Sequence, residues 1–421
     1  MPSEKVFRPV DYLKISIFGA ALSILWPTLH TLIIPLRLLE FAPEAQKNTY
    51  LGLMTFAGLI LAMLIQPIAG ALSDRFSSRL GRRRPFILVG TLLALLFLPS
   101  MGISGSFVFL FAGYCLLQIT CNIAQGPFQA FIPDLVPQGR RGVASGAKSL
   151  AEVLASVAFL RLVAYFMDVY SNNGGQIWLW ASIGFPGLVL LATMIATMLT
   201  VKEQPSSSNG QPSAAKAMAG AYKIDVKGNP GFVWFLVSRL FILMALGTLQ
   251  SFALYFIRDV IQVANPAGVT ADLLITVGVF LLLSVYAAGQ LSDRFGRKPV
   301  ILLSGFIGIV GILVLYLARN YVGILVCGGF LGISGGAFLS SNWALATDLV
   351  PPGEEARYLG LTNLATAGAG ALARLIGPVI DFFNTHQSGL GYSVMLLACI
   401  LYFILGSASV IPVRHKVKES N

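Results

Sequence analysis

The chain has 421 residues, of which 56% are hydrophobic and only 11% are charged, and its formal net charge is +11 at pH 7. This composition excludes an ordinary water-soluble globular protein, because so much apolar surface has to face lipid. The basic excess does not require a nucleic-acid partner, since basic loops beside an anionic membrane leaflet account for it. We therefore expect an integral membrane protein that binds no nucleic acid.

Long apolar segments recur along the whole chain, separated by short polar or basic loops. A helix needs about 20 mostly apolar residues to cross the bilayer core. Barrel strands would alternate in polarity over about ten residues, whereas segments 86–103 and 177–199 are apolar on all sides. The sequence predicts an all-α integral membrane fold with twelve spans, near 13–38, 50–73, 86–103, 107–131, 146–168, 177–199, 231–257, 271–291, 300–318, 321–346, 359–382 and 391–411.

The basic residues fall mainly in alternate loops. Most of the 29 Lys and Arg residues lie before the first span, in every second loop, in the central linker or at the tail. Short loops rich in Lys and Arg stay on the cytoplasmic side. We therefore predict a multi-pass protein of the cell membrane, the inner or plasma membrane, with both termini in the cytoplasm. We expect it to be a monomer.

Three short motifs recur in the second half of the chain at offsets of 219, 214 and 213 residues. The run Gly70–Arg75 recurs as Gly289–Arg294, Asp134–Pro137 recurs as Asp348–Pro351, and the pair Arg161 and Asp168 recurs as Arg374 and Asp381. These repeats predict two pseudo-symmetric six-helix bundles, as in one large class of alternating-access carriers. The predicted domains are a bundle at 1–200, a flexible cytoplasmic linker at 201–229 and a second bundle at 230–421.

The loop that follows the eighth predicted span carries a recognisable signature. The run Asp293–Lys298 fits the Gly-x-Leu-x-Asp-Arg-x-Gly-Arg-Arg pattern and resembles the major facilitator superfamily over essentially the whole chain. The first copy has four extra residues between Phe76 and Gly81. This longer loop, with Gln125–Ala130 in the fourth span, is similar to the glycoside-pentoside-hexuronide:cation symporters and the sucrose:proton symporters. The resemblance implies a major facilitator fold and a secondary carrier, above all for a sugar or glycoside, coupled to a proton or another cation.

One position departs from the sucrose carriers. They have an acidic residue about two turns before the fourth-span motif, and Gln118 stands at the matching place here. A glutamine cannot carry a proton, which argues against proton coupling by that route.

The two signature loops predict a gate on the cytoplasmic side. An Asp at a helix end beside Arg in a short loop can form an ion pair that ties one half of the chain to the other, and the strength of that pair sets the populations of the outward-open and inward-open states. The alternative is that the arginines only keep the loop inside. The predicted gate comprises Asp74, Arg75, Gly81, Arg82, Asp293, Arg294, Gly296 and Arg297.

Charged residues inside spans are costly in hydrocarbon and usually mark a substrate path. Arg161 and Arg374 occupy equivalent places and can both donate to one polar substrate, or can extend to the lipid edge. Glu152 lies four residues from Lys148, so it either forms a structural salt bridge or carries a coupled proton. Arg239 either faces the substrate path or snorkels to the cytoplasmic interface.

Several neutral polar residues share the predicted spans. His30 and Gln250 are equivalent at an offset of 220, and a histidine there either binds substrate or titrates near neutral pH, or is a packing residue. The predicted substrate-binding residues are His30, Asn122, Gln125, Arg161, Gln250, Asn342, Trp343 and Arg374, and the candidates for proton coupling are Glu152 and His30.

No catalytic motif stands in the sequence: it has no phosphate-binding loop, nucleophile elbow or His/Cys metal set. We therefore expect no enzymatic activity, no metal and no cofactor, and transport driven by a gradient. One alternative is an organic-anion or drug-type carrier with Arg161 and Arg374 as countercharges. Another is a non-transporting membrane assembly or pigment-handling protein of the same fold, because a fold does not fix a function.

Overall fold

The computed structural model describes residues 9–76, 78–203, 229–350 and 354–413. Within these ranges, twelve helices are long and apolar enough to cross a membrane, and they confirm the twelve predicted spans. They are α1 (Val10–Leu38), α2 (Glu44–Arg75), α3 (Arg84–Ile103), α4 (Phe107–Leu135), α5 (Arg141–Ser171), α6 (Gln176–Thr200), α7 (Pro230–Ile261), α8 (Pro266–Phe295), α9 (Arg297–Leu317), α10 (Tyr321–Leu349), α11 (Gly360–His386) and α12 (Leu390–Ala408).

Side-chain caps fix the start of several helices. The side chains of Ser106, Asn229 and Asn320 accept hydrogen bonds from backbone N–H groups in the first turns of α4, α7 and α10. Such a cap satisfies one of the four N–H groups that a helix leaves without a partner at its start. Pro230 and Pro266 occupy the first turns of α7 and α8, where a missing N–H costs nothing. Local sequence chemistry therefore sets these helix starts.

The chain divides into two compact units. The first unit contains residues 1–42 and 57–214, and the second contains residues 43–56 and 215–421. The division cuts α2 after Phe56, so the first turns of α2 belong to the second unit. The predicted linker at 201–229 lies almost entirely outside the described residues.

The same helix pairs pack in each unit. In the first unit α1 packs on α5 and α6, and α3 packs on α4 and α6. In the second unit α7 packs on α11 and α12, and α9 packs on α10 and α12. These pairs correspond one to one: each helix of a named pair in the second unit has the number of its counterpart in the first unit plus six. The repeat read from short motifs extends to the packing of whole helices.

Some spans contain irregular turns. Residues Leu29–Ile33 of α1 form a π-helical turn, and Arg374–Ile376 of α11 form a 3₁₀ turn. Pro27 precedes the π turn and Pro35 follows it. Neither proline has an N–H to donate to the regular hydrogen bonds of the helix. Irregular turns inside helices are frequent at functional sites. His30 lies in the π-helical turn, and Arg374 is the first residue of the 3₁₀ turn.

Candidate functional site

In the first unit, His30 joins a chain of polar side chains on α4. His30 Nε2 lies 3.0 Å from Tyr114 Oη and 3.3 Å from Gln118 Nε2, and Gln118 also donates to Tyr114 Oη at 2.7 Å. Asn122 Nδ2 donates to Gln118 Oε1 at 3.2 Å. The three α4 residues are buried and recur every fourth residue, so they share one helix face. His30 is half-buried and is therefore the most accessible of these four side chains.

Trp26 extends this network toward a fourth residue of α4. Its ring stacks on His30 with a centroid separation of 5.3 Å and an interplanar angle of 22°. Its Nε1 donates to Gln125 Oε1 at 3.2 Å. Trp26 and Gln125 are both half-buried. An aromatic face thus stands beside an imidazole and an amide, an arrangement that can hold the ring and hydroxyls of a polar solute.

Glu152 of α5 packs against α1. Its carboxylate Oε1 lies 3.5 Å from Lys148 Nζ, so the predicted ion pair is present, and the choice between a structural role and proton coupling stays a prediction. Ser23 Oγ donates to the backbone oxygen of Glu152 at 2.7 Å. The same carboxylate oxygen occupies the space where a side chain at Gly19 would begin. Glycine at position 19 therefore gives the carboxylate room beside α1.

The other predicted residues on α5, α7 and α11 differ in exposure. Arg161 and Gln250 are exposed, and Arg374 is half-buried. Arg374 Nη1 donates to the backbone oxygen of Gly370 at 2.5 Å, within α11. The functions predicted for Arg161, Gln250 and Arg374 stay predictions.

In the second unit, Arg239 lies inside the helix bundle. Its side chain is buried, its Nε donates to Thr366 Oγ1 at 2.9 Å and its Nη1 donates to Asn342 Oδ1. The guanidinium carbon lies 5.9 Å from the centroid of the Trp343 ring. Arg239 therefore does not snorkel to a membrane interface, as one of the two sequence interpretations held. Arg239 contacts both predicted residues of α10, Asn342 and Trp343.

Arg83 is the centre of a cluster that we call the first loop cluster, formed by Ser73, Asp74, Arg82, Arg83 and Asp134. Arg83 Nε lies 3.0 Å from Asp134 Oδ2, and its two other nitrogens donate to Ser73 and Asp74. Arg82 Nη2 pairs with Asp134 Oδ1 at 2.6 Å. The ion pair of Asp74 thus closes within the first unit, and the predicted tie between the two halves stays a prediction.

A carboxylate from the end of α6 supports this cluster. Glu203 accepts hydrogen bonds from the backbone N–H groups of Arg82, Arg83 and Arg84 at 2.6, 2.8 and 3.1 Å. These groups lie at the start of α3, where a negative charge is favoured. Gly81 just before them has φ = +101°, which favours glycine. Glu203 therefore caps α3 and fixes the loop before it.

The second loop cluster consists of Ser292, Asp293, Arg297 and Asp348. Arg297 Nη1 pairs with Asp293 and donates to Ser292 Oγ at 3.3 Å, and Arg297 Nε lies 3.3 Å from Asp348 Oδ2. Gly296 has φ = +91°. The cluster repeats the first one, with Arg297 in the place of Arg83. Arg294, also predicted in the gate, lies with its guanidinium carbon 5.4 Å from the Phe295 ring.

A third polar cluster lies at the opposite end of the second unit. Lys47 is buried, and its Nζ pairs with Asp259 Oδ2 at 2.6 Å and Glu44 Oε1 at 2.5 Å. Asp381 accepts from the Asn48 side chain at 2.8 Å and from the Thr49 N–H at 2.6 Å, so it caps the start of α2. Glu44, Lys47, Asp259 and Asp381 line a cavity of about 460 Å³.

Sequence reasoning missed several residues of these clusters. Arg83, rather than the predicted Arg82, is the central cation, and Tyr114, Trp26, Glu203 and Thr366 were not predicted. The signal for Asp134 was available, because its motif repeats after the tenth span as Asp348. Among the described residues, no group of three or more His, Cys, Asp or Glu could hold a metal ion, and the four cysteines are free.

Comparisons with known proteins give a family and a fold. The sequence model of the family described as MFS/sugar transport protein matches residues 45–357. The sucrose transport protein SUT2 of Oryza sativa subsp. indica is 28% identical over 190 residues, 39% of this chain and 36% of that protein. The general alpha-glucoside permease of Schizosaccharomyces pombe is 48% identical over 56 residues, 13% of this chain and 10% of that protein. The chain thus matches only 36% and 10% of the length of these two relatives.

A solved structure extends the likeness to the whole chain. A crystal structure of a variant of the nucleoside transporter NupG aligns with a TM-score of 0.74 and covers 96% of this chain and 99% of its own. The sequence identity is 13%, so the likeness concerns the fold. The predicted major facilitator fold is confirmed.

Proposed function

Because this chain belongs to the MFS/sugar transport protein family, whose match covers residues 45–357, we propose that it is a secondary carrier that moves a sugar or glycoside by alternating access. Members of this family are transport proteins, so the chain is a multi-pass membrane transporter and not an enzyme. The names of the sucrose and alpha-glucoside relatives support a glycoside as the solute.

The observation that carries the proposal is the arrangement of Trp26, His30 and Gln125. An indole face stacks on the imidazole and donates to the amide. Binding sites for small molecules combine apolar and aromatic surface with a few placed polar groups. Here the polar groups include both donors and acceptors, as a solute with many hydroxyls requires. Asn122 acts behind this surface, because it is buried and bonds to Gln118.

The proposed site has a counterpart in the second unit. Asn342 and Trp343 on α10 provide an amide and a half-exposed ring beside Arg239. Gln250 is exposed on α7, the helix equivalent to α1. Arg161 and Arg374 remain proposed donors on the equivalent helices α5 and α11.

We propose a coupled proton or another cation as the driving ion. Glu152 and His30 are the proposed carriers of the proton. The two loop clusters are the proposed cytoplasmic gate, and we propose that both termini lie in the cytoplasm, as the basic residues of alternate loops predict. The proposed location is the inner or plasma membrane, with the protein as a monomer.

Counterflow in proteoliposomes tests the proposal. Vesicles loaded with unlabelled maltose or sucrose take up the labelled sugar from outside if the protein carries it. We expect Trp26→Ala and Gln125→Ala to lower uptake about tenfold, since each removes contacts to the solute. Gln176→Ala, at an exposed glutamine on α6, is the matched control and leaves uptake unchanged.

Two results bear against the proposal. Absence of counterflow for both sugars, with correctly inserted protein, contradicts sugar transport. Counterflow that persists in Trp26→Ala and Gln125→Ala keeps the transport function and removes these residues from the site.

A further inference from the structure

The polar network around His30 leads back to a backbone oxygen whose bonding role is fixed. Asn122 Nδ2 lies 2.8 Å from the backbone oxygen of Gln118. A carbonyl oxygen only accepts, so the Asn122 atom that faces it is the amide nitrogen. The same nitrogen donates to Gln118 Oε1 at 3.2 Å, so the oxygen of the Gln118 amide faces Asn122. The nitrogen of that amide therefore faces Tyr114 and His30.

Two hydrogen-bond donors meet at one ring nitrogen of His30. Gln118 Nε2 donates to Tyr114 Oη at 2.7 Å and lies 3.3 Å from His30 Nε2. Tyr114 Oη lies 3.0 Å from His30 Nε2. Because the Tyr114 hydroxyl accepts from Gln118, its own hydrogen bonds to His30 Nε2. An amide N–H and a phenol O–H thus face this nitrogen, which can satisfy both only as an acceptor.

An imidazole nitrogen that accepts carries no hydrogen, so the proton of His30 lies on Nδ1. An imidazolium carries hydrogens on both nitrogens, and its Nε2–H would face the Gln118 N–H. Tyr114 and Gln118 are buried, and a buried donor that faces another donor is costly. The stacked face of Trp26 attracts a cation, but it supplies no acceptor at Nε2. The network therefore favours the neutral ring.

Charged groups on the helices that pack against α1 agree with a neutral ring. These helices are α5 and α6, and α6 contains no charged residue. Glu152 of α5 packs beside Gly19, which is eleven residues or about 16 Å from His30 along α1. The two helices run in the same direction, so Arg161, nine residues after Glu152, lies closer to the level of His30. A nearby cation favours a neutral imidazole.

We propose that Gln118 is a positioning residue that, with Tyr114, holds His30 neutral with its proton on Nδ1. His30 is then a fixed hydrogen-bond donor of the proposed solute site and not a carrier of the coupled proton. This inference rests on the proposed carrier function and assigns roles within it. Of the two proposed proton carriers, it retains Glu152.

The ring nitrogens of His30 report the position of the proton directly. In protein labelled with ¹⁵N-histidine and reconstituted into bilayers, NMR distinguishes the Nδ1–H ring, the Nε2–H ring and the imidazolium. The chain has three histidines, and His30→Gln removes the His30 signals and so assigns them. An ordinary histidine is about nine-tenths charged at pH 5.5. We expect His30 to show the neutral Nδ1–H form at both pH 7.5 and pH 5.5.

Two uncharged substitutions test which groups hold the proton in place. Gln118→Met keeps the length of the side chain and removes the donor, so we expect imidazolium signals of His30 at pH 5.5. Asn122→Ala releases the Gln118 amide, whose oxygen can then face Nε2, and we expect the Nε2–H form to appear beside the Nδ1–H form. Gln129→Met, at an exposed glutamine of the same helix, is the matched control and leaves the His30 signals unchanged.

The outcomes separate this inference from the proposed function. An Nε2–H ring or an imidazolium as the main form of His30 in the unchanged protein, at either pH, overturns the inference and leaves maltose counterflow untouched. His30 signals that stay unchanged in Gln118→Met or in Asn122→Ala also overturn it. Absence of counterflow in a protein whose His30 shows the Nδ1–H form contradicts the carrier and leaves the assigned proton position standing.

Discussion

Arg83 and Arg297 occupy equivalent places in the two units, and they differ in how firmly they are held. Each joins two Asp residues that lie in the last turns of two different helices, Asp74 with Asp134 and Asp293 with Asp348. The Arg83 side chain is 5% exposed and the Arg297 side chain is 23% exposed.

Two differences in sequence account for this contrast. Arg83 stands nine positions after Asp74, whereas Arg297 stands four positions after Asp293. The longer first loop turns at Gly81 and is capped by Glu203. Both copies keep one Arg that pairs with two Asp residues, although the spacing between the first Asp and the Arg differs. We therefore call the more buried first copy the fixed cluster and the more exposed second copy the open cluster.

The largest expected effect comes from removing the central arginine. Arg83→Ala leaves Asp74, Asp134 and Ser73 without their shared donor, and we expect it to lower the free energy of unfolding by about 3 kcal/mol, as for other broken buried pairs. Arg297→Ala removes a more exposed group and costs about 1 kcal/mol or less. Thermal midpoints in detergent measure both. Equal losses for the two variants would refute the contrast between a fixed and an open cluster.

Exchange of the two turn glycines gives a smaller difference. Both have positive φ, so alanine strains the backbone at either position by about 1 kcal/mol. A Cβ at Gly81 would also lie 2.5 Å from Glu203 Oε2, whereas at Gly296 the nearest atom is 3.8 Å away, on Pro299. Gly81→Ala should therefore destabilise more than Gly296→Ala. If the additional loss is due to Glu203, Gly81→Ala costs less when it is introduced into Glu203→Ala than when it is introduced into the unchanged protein.

The smallest effect concerns the second carboxylate of each triad. Asp134 pairs with both Arg82 and Arg83, at 2.6 and 3.0 Å, whereas Asp348 lies 3.3 Å from Arg297. We expect Asp134→Asn to cost about 1 kcal/mol and Asp348→Asn less than about 0.5 kcal/mol, because exposed pairs contribute little. Chemical or thermal denaturation distinguishes them. A larger loss at Asp348 would reverse the assignment of the fixed and open clusters.

The sequence was sufficient for the fold because hydrophobic length and loop charge are properties of single segments. Repeated motifs also located both loop clusters, although Arg82 was predicted in the place that Arg83 occupies. The four extra residues hide which of three consecutive arginines joins Asp74 to Asp134, and in the structure Arg83 does so. In such a loop, the direction of the backbone decides which arginine bonds to both aspartates.

The polar interior was less accessible to prediction. His30, Asn342 and Trp343 were chosen as single residues at equivalent places, and their partners Tyr114 and Arg239 were not assigned to them. Pairing across helices depends on helix rotation and packing, which span boundaries do not determine. Glu152 and Lys148 were predicted as a pair because both lie on one helix, four residues apart.

The central claim is that a gradient-driven carrier moves a sugar or glycoside with a coupled proton. The most direct measurement is the internal pH of proteoliposomes, read with an enclosed dye, after maltose or sucrose is added outside without a membrane potential. We expect acidification of the lumen that depends on the solute and is lost in Glu152→Gln. Solute counterflow without any change of internal pH would contradict proton coupling, and absence of both would contradict the carrier.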